Sequence, residues 1–299
     1  MIKNPILKRE IMLSARSAKS SVILFIVNCL ILFIVLLQAY AFDDAIRINN
    51  EIKYESFVEL YILLASIEFI VVMLIVPGLL SGTIAGEREM QTLDILLTTK
   101  MKPIDIIFGK IFSALYSISI IVISTAPLLS MGFVFGGLQI YDLLLLFICI
   151  LLGAVLAGSM SIYFSVLVRK TVIATVTAYI GLLALIGLPF LINIGANYFQ
   201  GMRYNSYERA YSVGGYVYIL LLNPVVTFYG LINEQVGNPN AIINLCNQFG
   251  IYETNFVIEN WTIIGILLLL LMSYIFIKLA VNDLNPLSKK KRLVKRQRD

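Results

Sequence analysis

The sequence predicts an all-α integral membrane protein. It has six transmembrane helices, an amphipathic interfacial helix at the N-terminus, a second amphipathic helix between the second and third spans, and re-entrant or outer helices before the last span. Three observations predict this. Of 299 residues, 59% are hydrophobic and 14% charged, and the mean hydropathy is +0.89; soluble domains run at about 45–50% apolar and about 25% charged. The apolar residues gather in blocks near the length of about 20 residues that crosses a bilayer as a helix. Backbone exposed to lipid must satisfy its own hydrogen bonds, so these blocks are helices and not strands of an open sheet. A soluble cytosolic enzyme is excluded.

Six blocks meet that length: 22–42, 57–80, 111–135, 143–168, 172–194 and 261–281. The fourth and fifth are separated only by Arg169, Lys170 and Thr171, a tight polar turn between antiparallel helices. The first could be taken for a signal peptide, because Ala39-Tyr40-Ala41 resembles a cleavage site; its run is long for that role, and a retained span is the expectation. The whole chain, 1–299, reads as a single transmembrane domain. It divides into an interfacial helix at 1–20, spans at 22–80, a cytoplasmic segment at 81–110, spans at 111–194, an outer or re-entrant segment at 195–260, a last span at 261–281 and a basic tail at 282–299.

With six spans both termini lie on one side. Of the 23 basic residues only Arg47, Lys53, Arg203 and Arg209 then fall on the other, so the termini are expected in the cytoplasm. The tail from Lys289-Lys290-Lys291-Arg292 resembles a nucleic-acid patch in isolation, but after a last span it reads as an anchor on anionic lipid. The partner expected there is the bilayer, and no nucleic acid.

Histidine is absent, which removes imidazole acid–base chemistry, histidine metal ligands and His-activated nucleophiles. Cys29, Cys149 and Cys246 are too dispersed for a CxxC metal site, and no metal is expected. Cys246 alone falls outside the spans, as a free thiol or an intermolecular bond.

The first twenty residues suit a helix on the membrane surface. Asn4 can cap it, Pro5 fits its first position, and Leu7, Ile11, Ala15 and Ala18 share a face opposite Lys8, Arg9, Arg16 and Lys19. Between spans two and three, Gly86 followed by Glu87 and Glu89 suits a helix start, where carboxylates meet the positive end of the dipole. Met90, Leu93, Leu97 and Met101 then recur at helical spacing, and Pro103 with Asp105 restarts a helix running through Lys110 into the third span.

Taken together, Asn4-Pro5-Ile6-Leu7-Lys8-Arg9-Glu10, Ala85-Gly86-Glu87-Arg88-Glu89, Thr92-Leu93-Asp94-Ile95-Leu96-Leu97-Thr98-Thr99, and Ile106 with Gly109-Lys110 resemble the permease subunit of ABC transporters of the ABC-2 type. Two positions depart from the family's pattern: Gln91 stands where a glycine is frequent, and Lys100 where a proline is.

The resemblance implies that the segment between spans two and three is a coupling helix seated in a groove of a separate ATPase subunit. Glu87, Arg88, Glu89, Leu93 and Asp94 would make the contact, and Leu96 and Leu97 would pack its apolar stripe. The N-terminal helix, with Lys8, Arg9 and Glu10, would flank it. The chain would then be the membrane-spanning permease subunit of an ATP-driven exporter in a cell membrane, of bacterial plasma-membrane type. It would pair with a second permease copy or paralogue and with two ATPase subunits. No cofactor is expected in this chain, and ATP and Mg would bind the partner ATPase; Gly109-Lys110-Ile111 lacks the first glycine and the hydroxyl of a P-loop. The chain itself is not expected to be an enzyme.

Two rival functions remain at this stage: a proton-coupled secondary transporter using Glu68, and an accessory membrane scaffold subunit. Glu68 lies near mid-depth of the second span, so it faces a transport pathway, sits protonated, or bonds to Asn28, a serine or a tyrosine on a neighbouring helix. Pro127 and Pro189 interrupt hydrogen bonding in spans three and five, and Gly153, Ala157 and Ser161 give span four a small-residue face. The apolar stretch 213–232 is broken at Asn223-Pro224. A full span there would send the basic tail across the membrane, so a re-entrant or interfacial pair broken at Asn223-Pro224 is expected; the resemblance implies that such helices act as an outer gate, with Asn223 and Pro224 in it.

Overall fold

The computed structural model describes residues 12, 18–49, 55–93, 102–137, 139–204, 214–250 and 252–285. Their elements are α1 (Ala18–Asn49), α2 (Glu55–Glu89), α3 (Pro103–Gly136), α4 (Ile140–Leu167), α5 (Thr171–Tyr204), a 3-10 helix (Gly214–Leu222), α6 (Pro224–Gln235), α7 (Ala241–Cys246), α8 (Phe256–Glu259) and α9 (Trp261–Leu284). Six of them, α1 to α5 and α9, are long and apolar enough to cross a membrane, and they coincide with the six expected blocks. The fold is all-α.

Several helix ends follow local rules. Pro103 occupies the first turn of α3, with Asp105 beside it, where a missing N–H and a negative charge are both tolerated. Gln139 and Asp142 form a reciprocal capping box at the start of α4.

The end of α2 departs from expectation. The helix runs past Leu80 and through Gly86 to Glu89, so Gly86 starts nothing and Glu87 and Glu89 lie at a C-terminus. Close packing is marked one turn earlier, at Gly82, where a Cβ would stand 2.9 Å from Thr171 Cγ2 on α5. The helix stops in a Schellman motif. Thr92 N–H donates to Glu87 O at 2.8 Å, Gln91 N–H donates to Arg88 O at 3.1 Å, and Gln91 takes a left-handed φ of 58°. α5 also overruns its expected end, so residues 195–204 of the predicted outer segment are helix.

α2 and α4 form the centre; α3 and α5 each pack on both, and α9 packs on α4. The small-residue face of α4 is buried as expected, and Gly153 admits the Phe69 ring of α2. α1 and the outer face of α5 expose rows such as Phe25, Phe33, Ile180 and Leu183, the surface that acyl chains would wet.

The 3-10 helix and α6 meet at 90°. Asn223 at the bend accepts from Val225 N–H at 2.9 Å and donates to Ile186 O of α5 at 2.8 Å. Nearer its entry, the Tyr216 carbonyl accepts from Asn193, seven residues or about 10 Å of helix from Ile186. At its exit, Gln235 donates to Asp142 O and accepts from Tyr61 O–H, each at 2.8 Å. The element thus enters and leaves at the end where α4 begins. It is re-entrant, and its tip reaches partway into the bundle.

A second apolar core gathers around this element: Val217, Leu220, Ile242, Cys246, Phe249 and Trp261. Cys246 is a free thiol, fully buried there. Removal from water pushes its pKa up to about 11.

Candidate functional site

Among the described residues, the predicted site residues fall at two polar clusters, the end of the bundle where α3 and α5 begin, and mid-depth of α2. At the first, three successive residues of α2 each bind a different helix. Glu87 Oε1 accepts from Lys110 Nζ of α3 at 2.8 Å, and Lys110 is 4% exposed. Arg88 donates to Val166 O at 2.9 Å, with Val168 O at 3.5 Å; these are carbonyls that α4 leaves open at its C-terminus. Glu89 accepts from the backbone N–H and the hydroxyl of Thr171, the first residue of α5. A cation therefore meets the negative end of α4 and an anion the positive end of α5. The carboxylates are unfavourably placed for the dipole of their own helix, and Lys110 and the α5 terminus offset this.

Just before the triplet, Ser165 Oγ of α4 accepts from Ile84 N–H at 3.1 Å and Ala85 N–H at 3.0 Å. Ser81 donates to Thr175 of α5 at 2.9 Å. The end of α2 is thus tied to α3, α4 and α5 at once.

Of the residues assigned to coupling, Glu87 and Arg88 direct polar atoms into the bundle, and Leu93 is buried in the main core. Glu89, Met90, Gln91 and Thr92 are exposed. Asp94, Leu96 and Leu97 lie outside the described residues, as do Lys8, Arg9 and Glu10 of the N-terminal helix. Lys110 and Thr171 were named from the sequence only as a motif position and a turn residue, and neither they nor Ser165 were given a role at the site. Lys110 could have been given one, as a lysine at the head of a long apolar block.

At mid-depth, Glu68 is 1% exposed. Its partner is Thr125 of α3, not Asn28, a serine or a tyrosine. Asn28 instead donates to Ser124, the neighbour of Thr125, at 2.9 Å. The adjacent Phe69 stacks on Phe228 of α6 at 4.3 Å between centroids, so the re-entrant element covers this depth.

Helix lengths, composition and the re-entrant pair together define a multi-pass all-helical membrane protein. No protein-family model matches the chain, and no curated protein matches it either.

Proposed function

We propose that the chain is the membrane-spanning permease subunit of an ATP-driven exporter of the ABC-2 type, coupled to a separate ATPase through the segment between α2 and α3. The observation that supports this most is the triplet Glu87, Arg88 and Glu89. It stands at the root of that segment and binds the ends of α3, α4 and α5. A rigid push on the segment would reach four spans together, which a transport subunit needs and a plain connector does not. In this reading the exposed Met90, Gln91 and Thr92 begin the ATPase contact, while Glu87 and Arg88 transmit its movement. Both termini are cytoplasmic, ATP and Mg stay with the partner, and the re-entrant tip at Asn223 and Pro224 forms an outer gate.

The test is purification of the full chain from its native membrane in mild detergent. A P-loop ATPase should accompany it in stoichiometric amounts, and Met90→Glu should weaken that retention with the chain still folded. A chain that purifies without any ATPase and transports under an ion gradient would overturn the reading.

A further inference from the structure

The hydrogens around Thr125 can be counted. Its Oγ1 lies against two acceptors: the Val122 carbonyl at 2.9 Å, one turn back in the same helix, and Glu68 Oε1 at a short contact. A hydroxyl carries one hydrogen, and neither a carbonyl nor a carboxylate oxygen carries any. With Glu68 ionised, one hydrogen has to be shared between both contacts in a three-centre bond, whereas a protonated acid gives each contact its own hydrogen. Serine and threonine in helices regularly donate to the carbonyl three or four residues back. Neighbouring Ser124 does so, to Ile121 O at 2.6 Å. A Thr125 hydrogen given wholly to Val122 leaves the Glu68 contact to be filled by a hydrogen on the acid.

The surroundings agree. Glu68 Oε2 has no hydrogen-bond partner among the described residues. An ionised group would leave a charged oxygen there without a donor, whereas a neutral acid leaves only a carbonyl oxygen. Lys110 is fifteen residues from Thr125 along α3, about 22 Å, and is paired with Glu87. On α2 itself, Tyr61 donates to Gln235. On α6, Glu234 is bonded to Thr262 of α9, and Cys149 on α4 is buried in the main core.

We propose that Glu68 is a proton-binding site inside the helix bundle. It is a neutral carboxylic acid whose Oε1 hydroxyl donates to Thr125 Oγ1, and the Thr125 hydroxyl in turn donates to the Val122 carbonyl. Loss of the proton would turn the Thr125 hydroxyl from Val122 toward Glu68, so occupancy of the site is linked to a side-chain rearrangement between α2 and α3. This does not rest on the export reading, and either can fail without the other.

The test is infrared spectroscopy of the full chain in lipid nanodiscs at neutral pH, with carbon-13 glutamate to separate Glu from Asp. The wild type should show a carboxylic-acid C=O band that disappears in Glu68→Gln. Thr125→Val should keep the band and move it to higher frequency, because the acid loses its acceptor. Loss of a carboxylate band pair in Glu68→Gln, with no acid band in the wild type, would overturn the proposal. An acid band indifferent to Thr125→Val would overturn the hydrogen-bond assignment, and that comparison needs no Glu68 variant to fold.

Discussion

Lys110 and Glu87 form a buried ion pair 2.8 Å long across the bases of α3 and α2, with side chains 4% and 19% exposed. Breaking such a pair leaves an uncompensated charge, which costs about 3–5 kcal/mol when fully buried. Glu87 retains some access to solvent, so the low end applies. Lys110→Met should therefore lower stability by about 3 kcal/mol. Lys110→Met with Glu87→Gln should cost clearly less than the two single losses added together. Unfolding midpoints in detergent, taken as a double-mutant cycle, measure the difference, and strict additivity would remove the pair from the account of this interface.

The same region shows how far the sequence could be read. Block length located all six spans, because apolar length is a one-dimensional property. Pro103 announced the start of α3, because its fixed φ acts locally. The end of α2 was misplaced because Gly82 and Gly86 are ambiguous in one dimension: a glycine can end a helix or admit a neighbour, and at Gly82 the neighbour is Thr171, some ninety residues onward. Carboxylates near a glycine likewise suggested the positive end of a helix dipole. Glu89 does sit at such an end, but that of α5. Pairings of this kind, including Glu68 with Thr125, depend on which helices touch, and no local pattern encodes it.

Gln91 occupies the left-handed position of the Schellman motif with φ 58°. An L-residue there is strained by roughly 1 kcal/mol relative to glycine. Gln91→Gly should raise stability by up to about 1 kcal/mol without changing the hydrogen bonds of Thr92 and Gln91 to Glu87 and Arg88. A thermal shift of the purified chain is the measurement. A fall in stability would mean that this turn does not hold in the membrane.

Cys246 should behave as a hidden thiol. Its pKa is raised to about 11 by burial, and the thiolate is the form that reacts. Native protein at pH 8 should label with maleimide at Cys246 far more slowly than denatured protein. Because the folded pKa is raised, the contribution of the neutral thiol to stability is complete below about 9, the ordinary value. It is lost as pH rises from there toward 11. Cys246→Ser should narrow that alkaline loss, as read from unfolding midpoints across pH 8–11. Rapid native labelling would show that the second core opens readily.

The re-entrant element is held against α9 by the absence of a side chain. A Cβ on Gly265 would lie 2.6 Å from Thr227 Oγ1 and 3.0 Å from its Cγ2. Thr227 is fully buried, β-branched and therefore stiff at χ1, and its hydroxyl reaches Asn223 O at 3.3 Å. It cannot turn aside without disturbing the bend. Gly265→Ala should cost about 1–3 kcal/mol and loosen the tip at Asn223 as well as the helix pair. Thr227→Ala removes both clashing atoms and leaves only its Cβ, at 3.3 Å. The double variant should therefore recover most of what Gly265→Ala loses, a non-additivity expected of residues in contact. Thr227→Ser keeps Oγ1 and should rescue less. Stability measurements on these four chains separate the cases. If Gly265→Ala is neutral, α6 and α9 are not in close contact, and the depth assigned to the re-entrant tip loses its anchor on that side.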